Sequence, residues 1–442
     1  MIRPRRVRHV LGGLVAAGLL VAAPAFPAGF EIFTQGARAT GMGLAFAAVA
    51  DDPTAIFYNP AGLGWQQHFS VELGSSFITK LSGDFHGANP FPGDGTVGDQ
   101  HKTTFVLPTF YLVLPLTNEI NLGIGAFSQY GLGYRWDGGE SWVGRFISSN
   151  AVIKSVDLNP VLSWRLTPQI AIAGGADYRI SMVQLEKDNA TYDPLTDSFA
   201  DTSHVKLDSS IWDNHKWGWN VGIMIRPAPE FSVGAAYRSA MTINYTGTAT
   251  FTQNLTGDPV LDAIVASKLP VGKRAVTTSI GFPASMNLGI SSTIAQNTTI
   301  ALEADWTEWS KFQSLNISFP DLPGGTTCAP NGIMVCRQTN WKDSWAYRFG
   351  VEQKLGKWSL RTGFYIDKTP QPAADAGPIL ADNDRTGYTF GFGYNTDHWG
   401  INLADLYLKV KDRTVAGEST DNFFGTYHES VNIAIFGLRF SF

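Results

Sequence analysis

Outside its first 25 residues the chain lacks any apolar run approaching the roughly 20 residues that a membrane helix needs. The nearest candidate, residues 39–50, is shorter and broken by Gly41 and Gly43. A helical membrane protein is therefore excluded. Cysteine is nearly absent: Cys328 and Cys336 are the only two, close together in a Pro/Gly-rich stretch. In an oxidising compartment they read as a loop disulfide worth about 2–3 kcal/mol, and too few ligands lie nearby for a metal site. Charge is sparse at 16%, and without the four arginines of the leader the formal balance falls from −5 to −9, since no acid precedes Glu31. Such a surface is a poor partner for nucleic acid. No nucleotide-binding motif and no cofactor motif is present.

What the chain does have begins at its ends. Arg3, Arg5, Arg6 and Arg8 precede an apolar run from Val10 to Ala23 and an Ala23-Pro24-Ala25 cleavage pattern. This is an export signal over 1–25, with cleavage as late as 28 also compatible. The other end alternates, Ala434, Phe436, Leu438, Phe440 and Phe442 falling on one face of a strand that stops on an aromatic. That is the pattern of the last strand of a bacterial outer-membrane barrel.

Period-two alternation continues through the body. Ile170, Ile172, Ala176, Tyr178 and Ile180 fall on one parity; Ala173, Gly175, Asp177 and Arg179 fall on the other. Such alternation sends one set to lipid and the other to a lumen. The segments predict fourteen strands, near 69–79, 104–115, 120–131, 151–165, 170–185, 211–226, 230–243, 276–291, 298–312, 342–355, 358–367, 384–395, 399–410 and 429–442. Tight turns such as 117–119 and 167–169 alternate with long loops such as 186–210 and 244–275, short ones facing the periplasm and long ones the exterior. One closed sheet absorbs residues 69–442 of the 442-residue chain. Residues 26–68 do not alternate. They are too broken to span and too apolar for a solvated tail, so they are expected inside the barrel as a hatch.

Gly29-Phe30, Ala50-Asp51-Asp52 and Asn59-Pro60-Ala61-Gly62-Leu63 resemble the amino-terminal hatch of the FadL family, whose TodX-type relatives carry aromatic hydrocarbons. Residues 108–111, Gly131-Leu132, residues 142–146, Asn159-Pro160, residues 305–312 (similar to a Trp-x-x-Trp-x-x-Phe signature of the family through Trp306, Trp309 and Phe312), residues 341–344 and residues 361–370 continue the likeness in order. The resemblance implies an all-β, fourteen-stranded antiparallel barrel closed by a hatch. It implies passive outer-membrane transport of long-chain fatty acids or aromatic and aliphatic hydrocarbons: capture between the third and fourth long loops, hatch movement, then sideways exit at strand three. The expected partners are the hydrophobic substrate, the membrane lipids and, through Phe442, the barrel-assembly machinery, with the protein a monomer.

Phe30, Asn59, Pro60 and Ala61 are the candidates for hatch anchoring and gating. An asparagine before proline is held extended, and its amide can bridge several backbone groups. Gly123 and Gly125, on the lumen parity of strand three, mark either a break in the wall that opens a lateral path or a close approach of the hatch. Asp258-Pro259 followed by Val260, Leu261, Ile264 and Val265 predicts a capped amphipathic helix whose apolar stripe is either packed or used for substrate capture. Eleven lumen-parity charges of mixed sign, among them Asp177, Arg238, Asp305, Arg348, Glu352 and Arg361, predict ion pairs holding the hatch and not the one-sign ring of an open porin. His428-Glu429-Ser430 superficially resembles the His-x-Ser of outer-membrane phospholipases, but so short a motif has a high false-positive rate. A general porin and a barrel lipase are the competing readings; no catalytic residue is assigned.

Overall fold

The two ends of the barrel close on one another. The computed structural model describes residues 29–193, 198–210, 213–270, 272–328 and 334–442, so the expected leader lies outside the described residues. β1 (Ser70–Gly87) pairs with the last strand from Ser70 opposite Ser441 to Gly87 opposite Gly425. Between them run β2 (Thr104–Pro115), β3 (Ile120–Phe127, then Gly131–Arg135), β4 (Asn150–Arg165), β5 (Ile170–Asp193) and β6 (His215–Ala228). There follow β7 (Phe231–Arg238, continued as Met241–Gln253), β8 (Gly272–Phe282, then Ser285–Ile294), β9 (Thr298–Thr307) and β10 (Ser344–Leu355). β11 (Trp358–Asp367), β12 (Arg385–Asn395), β13 (Trp399–Val410) and β14 (Gly425–Ser441) complete a closed fourteen-stranded antiparallel barrel.

The turns at one end are tight because their backbones match the strand twist. Ala295 and Gln296, between β8 and β9, both have positive φ, the geometry of a primed hairpin turn. At the other end the loops carry structure of their own. The stretch 186–210, expected to be a polar loop, is a hairpin: β5 runs on to Asp193 and pairs with Ser198–Ser209. Above the membrane the outer face of the ribbon meets water in place of lipid, and its buried face mixes Thr202 and Ser203 with Leu207, so alternation leaves little trace in hydropathy. The upper halves of β7 and β8 join this hairpin and Ser314–Ser318 in one sheet outside the lipid zone. The 244–275 loop shrinks accordingly to the segment between Gln253 and Gly272.

Residues 29–68 lie against the inward faces of the strands, and residues 37–64 are buried except for exposed Asp51 and half-buried Phe57. The segment forms α1 (Ala37–Gly41), α2 (Ala55–Tyr58) and a 3-10 turn over Pro60–Trp65. These helices are too short to stand alone; the wall holds them. Gly43 shows how closely: its φ is +61°, and an added Cβ would sit 2.3 Å from the carbonyl oxygen of Phe349. Polar fixings surround the segment. Glu303 accepts from the amides of Phe46 (2.7 Å) and Ala47 (2.6 Å), Ser76 donates to Thr34 O (2.6 Å), and Tyr111 donates to Gln35 O (3.0 Å).

Candidate functional site

The pairing of the wall is interrupted within β3. That strand pairs with both neighbours along most of Ile120–Phe127, but after residues 128–130 its second piece, Gly131–Arg135, pairs with β4 alone. Across from it, residues 104–109 of β2 pair with β1 and with no other strand among the described residues. Pro108, which has no N–H to give, sits in this half-paired stretch, where its loss of a donor costs least. Further out the two chains meet again, through the Gln100–Trp136 bridge and an N–H of His101 donating to Arg135 O at 2.8 Å. The result is a framed window between β2 and β3. Outward-facing Val106, Pro108 and Phe110 set it at the depth of the apolar lipid face.

Gly123 and Gly125 do not form this window, which corrects their assignment to the lateral opening. They pair regularly with Val113 and Tyr111 on one side and with Val161 and Asn159 on the other. Added Cβ atoms would lie 2.8 Å from Leu63 Cδ1 and 2.8 Å from Ile56 Cγ2 respectively. Their role is close approach of the hatch. The break falls three residues later, and its sequence signal is the polar pair Ser128-Gln129 that ends the alternation after Phe127.

The hatch fills the break from inside. Ile32 N donates to Gln129 O (2.6 Å), Gly131 N donates to Phe30 O (2.9 Å), and the Gln35 side chain donates to Ser128 O (2.6 Å). Glu31, bridged to Tyr130, is buried and accepts from Gln129 Nε2 (3.0 Å) and Thr307 Oγ1 (3.4 Å). Burial pushes its carboxyl up to about 7, against the lowering effect of the Gln129 bond.

Phe30 reaches outward from this junction into an aromatic cage. Trp309 lies 4.8 Å away, Phe312 5.4 Å, Phe282 5.8 Å, and Tyr130 and Trp341 each 5.9 Å, ring centre to ring centre. Beyond it is an apolar cavity of about 50 Å³ lined by Leu132, Ile153, Val183, Ile280, Leu315 and others. That is well below the ~150 Å³ in which an apolar ring sits. An occupant must therefore push side chains aside.

Asn59, Pro60 and Ala61 meet the wall further along the hatch, against β4 and β6. The Asn59 amide donates to Ala47 O (2.8 Å) and to Ile223 O of β6 (3.1 Å), while its oxygen accepts from Ala61 N (3.2 Å). Pro60 opens the 3-10 turn, and Ser163 of β4 donates to Ala61 O (3.3 Å). The mixed lumen charges pair as well. Arg179 donates to Asp157 (2.7 Å), Arg361 to Glu352 (2.6 Å), and Arg238 and Arg348 contact Asp177 and Asp305.

Outside, α3 (Pro259–Lys268) is capped by Asp258, whose carboxylate accepts from Val260 N (2.8 Å) and Leu261 N (3.3 Å). Its apolar stripe divides. Leu261 and Val265 are buried, whereas Val260 is 60% and Ile264 40% exposed. Ile264 and Val265 border a groove of about 290 Å³, where Lys187 and Val205 of the β5 hairpin and Phe251 of β7 face them. Cys328 and Cys336 are joined by a disulfide with a Cα–Cα distance of 6.0 Å. In His428-Glu429-Ser430 no His–Ser bond occurs: Ser430 shares a hydrogen bond with Ser82 (2.8 Å), and Glu429 turns inward to accept from Tyr134 (2.5 Å).

Three comparisons with known proteins agree. Residues 18–442 match the model of the outer membrane protein transport family (OMPP1/FadL/TodX). Outer membrane protein P1 of Haemophilus influenzae is 23% identical, covering 97% of this chain and 98% of its own length. The long-chain fatty acid transport protein of Escherichia coli O6:H1 is 23% identical over 97% of each chain. Among solved structures, a FadL homologue of Pseudomonas aeruginosa superposes with a TM-score of 0.76 at 19% identity, over 94% of this chain and 100% of that one. The toluene transporter TodX of P. putida gives 0.71 at 16% identity, over 92% and 98%. These likenesses, together with a barrel closed from β1 to β14, place the protein in the outer membrane, and the chain belongs to the OMPP1/FadL/TodX family of outer membrane transport proteins.

Proposed function

We propose that the protein is a monomeric, passive carrier of small hydrophobic molecules, with no catalytic step, and that they leave it sideways through the β2–β3 window. The observation that carries this reading is a single junction. Phe30, which walls the apolar cavity, is hydrogen-bonded through its own carbonyl to Gly131 at the edge of the window. Moving the leading end of the hatch thus opens the cavity and clears the window together. A lipophile leaving along the barrel axis would enter water, at ~0.8 kcal/mol for each exposed methylene. The lateral route keeps it among apolar groups.

The groove between α3 and the β5 hairpin is the capture surface, with Ile264 and Val265 lining it, while Val260 is exposed outside the groove and Leu261 packs beneath the helix. Relatives bear the names of long-chain fatty acid and toluene transporters. In this chain the cavity favours the neutral class, hydrocarbons over carboxylates. The cation among its lining residues is Arg337, which Asp421 already pairs.

The test is a tether. Asn59→Cys with Gly222→Cys, in a Cys328→Ser, Cys336→Ser background, pins the hatch to β6, because Gly222 and the Asn59 side chain touch. Uptake of a hydrophobic probe should stop and return on reduction. Unchanged uptake in the oxidised form would end the moving-hatch reading. Leu107→Trp, at the window's rim, should lower uptake several-fold while the barrel still assembles.

A further inference from the structure

Four residues that no transport step uses come together on the outer surface of the barrel. A bulge between Lys80 and Ser82 shifts the β1 register by one residue, so that beyond it Gly83 and Phe85 face inward, and Asp84 and His86 face outward. Asp84 then stands directly opposite His428 of β14 in the ladder. On the other edge of β14, Arg413–Val415 pairs with residues 425–427 and brings Asp412 alongside. Asp84, His86 and His428 each present a ligand atom within 4.8 Å of the others. The Asp84 Oδ1–His86 Nε2 separation is 3.3 Å, and Asp412 Oδ1 lies 3.0 Å from His428 Nδ1. Among the described ion pairs, Asp84 and Asp412 have these histidines as their partners and no lysine or arginine.

We propose that Asp84, His86 and His428 hold a divalent transition metal of the zinc type, with Asp412 fixing the His428 ring. Bonds of ~2.0 Å in a tetrahedron put neighbouring ligand atoms about 3.3 Å apart, the spacing Asp84 and His86 already have. A carboxylate on the remote nitrogen of a ligating imidazole is the usual means of setting its tautomer and direction. Two imidazoles with one carboxylate select zinc, copper or nickel over magnesium and calcium, which prefer an all-oxygen shell. A fourth position stays open to water or to a phosphate of the outer leaflet. From this position the metal would clip the first strand to the last, at the seam that closes the barrel. The four residues are dispersed from 84 to 428, so no local motif announces them in the sequence.

The full mature chain, untagged and folded in detergent, is dialysed against zinc chloride. One saturable zinc per chain is expected, with a higher unfolding temperature. Both effects should vanish in His86→Ala and in His428→Ala and persist in His398→Ala. Faster gel migration before heating certifies that each variant is a folded barrel. No saturable binding to the wild type, undiminished binding in the two variants, or equal retention of magnesium would overturn the site. Zinc bound without any rise in unfolding temperature would overturn the clip.

Discussion

Arg38 of α1 and Glu352 of β10 meet inside the barrel as a two-point ion pair, Nε and Nη2 each lying 2.8 Å from a carboxylate oxygen. Arg361 holds the same carboxylate from the next strand at 2.6 Å. The two partners are therefore not equivalent. Glu352→Gln leaves the Arg361 guanidinium without its carboxylate, whereas Arg38 keeps Asp51 and Asp52 of the hatch itself, so hatch docking should weaken only moderately. Arg38→Met leaves Glu352 paired with Arg361 but takes the cation from Asp51 and from buried Asp52 as well, and should cost more, about 3–5 kcal/mol. Limited proteolysis of the hatch in folded barrels ranks the two; equal susceptibility would remove the ion pair from the account.

Gly123 and Gly125 should behave as hatch contacts. A leucine at Gly123 would collide with Leu63 and Ile56, which stand 2.8 and 2.9 Å from the added Cβ. Gly123→Leu should thus loosen the hatch and raise the leak of small polar solutes, with the window itself intact. A variant whose hatch stays protease-resistant while hydrophobic uptake fails would return these glycines to the exit path.

The external disulfide should be stabilising and functionally silent. Cys328→Ser with Cys336→Ser ought to lower stability by about 2–3 kcal/mol, by freeing a short loop in the unfolded chain, and leave uptake near the wild-type rate. Thiol titration without reductant should find no free thiol. Two titratable thiols would refute the bridge.

The barrel was legible in the sequence because lipid imposes a strict rule: apolar out, alternating, in segments long enough to cross. Phe436 and Phe440, on the outward parity of β14, show it plainly. The rule lapses where lipid ends, and there the expectation failed: the β5 hairpin past Glu186 and the upper halves of β7 and β8 are strands with no lipid-facing side. The window was half legible. Glycines suggested a break in strand three, yet residues 128–130 make it, since a strand leaves the wall where its backbone bonds are taken by the hatch, and those partners lie far upstream in the chain. The aromatic cage was foreshadowed only by Phe30, by Trp309 and Phe312 of the family signature and by Trp341 of a second family-like segment; Phe282 and Tyr130 join it through tertiary packing.

Glu31 should make hatch docking depend on pH. Its carboxyl is buried beside Gln129 and Thr307, with the charges of Asp305, Arg348 and Asp367 nearby, and sits at about 7 when docked, against an ordinary value of 4.5. The docked hatch therefore holds a proton that a released, hydrated hatch gives up between those two values. Binding more protons in the docked state means that docking is firmest below about pH 4.5 and weakens as pH rises through 7, by about 3 kcal/mol at most. Exchange protection of the Ile32 and Gly131 amides, corrected for intrinsic rates, should fall across this range. Glu31→Gln keeps the hydrogen-bonding shape and cannot ionise, so its protection should be flat and high. Protection that rises with pH in the wild type, or an unchanged slope in the variant, would show that Glu31 does not govern the latch.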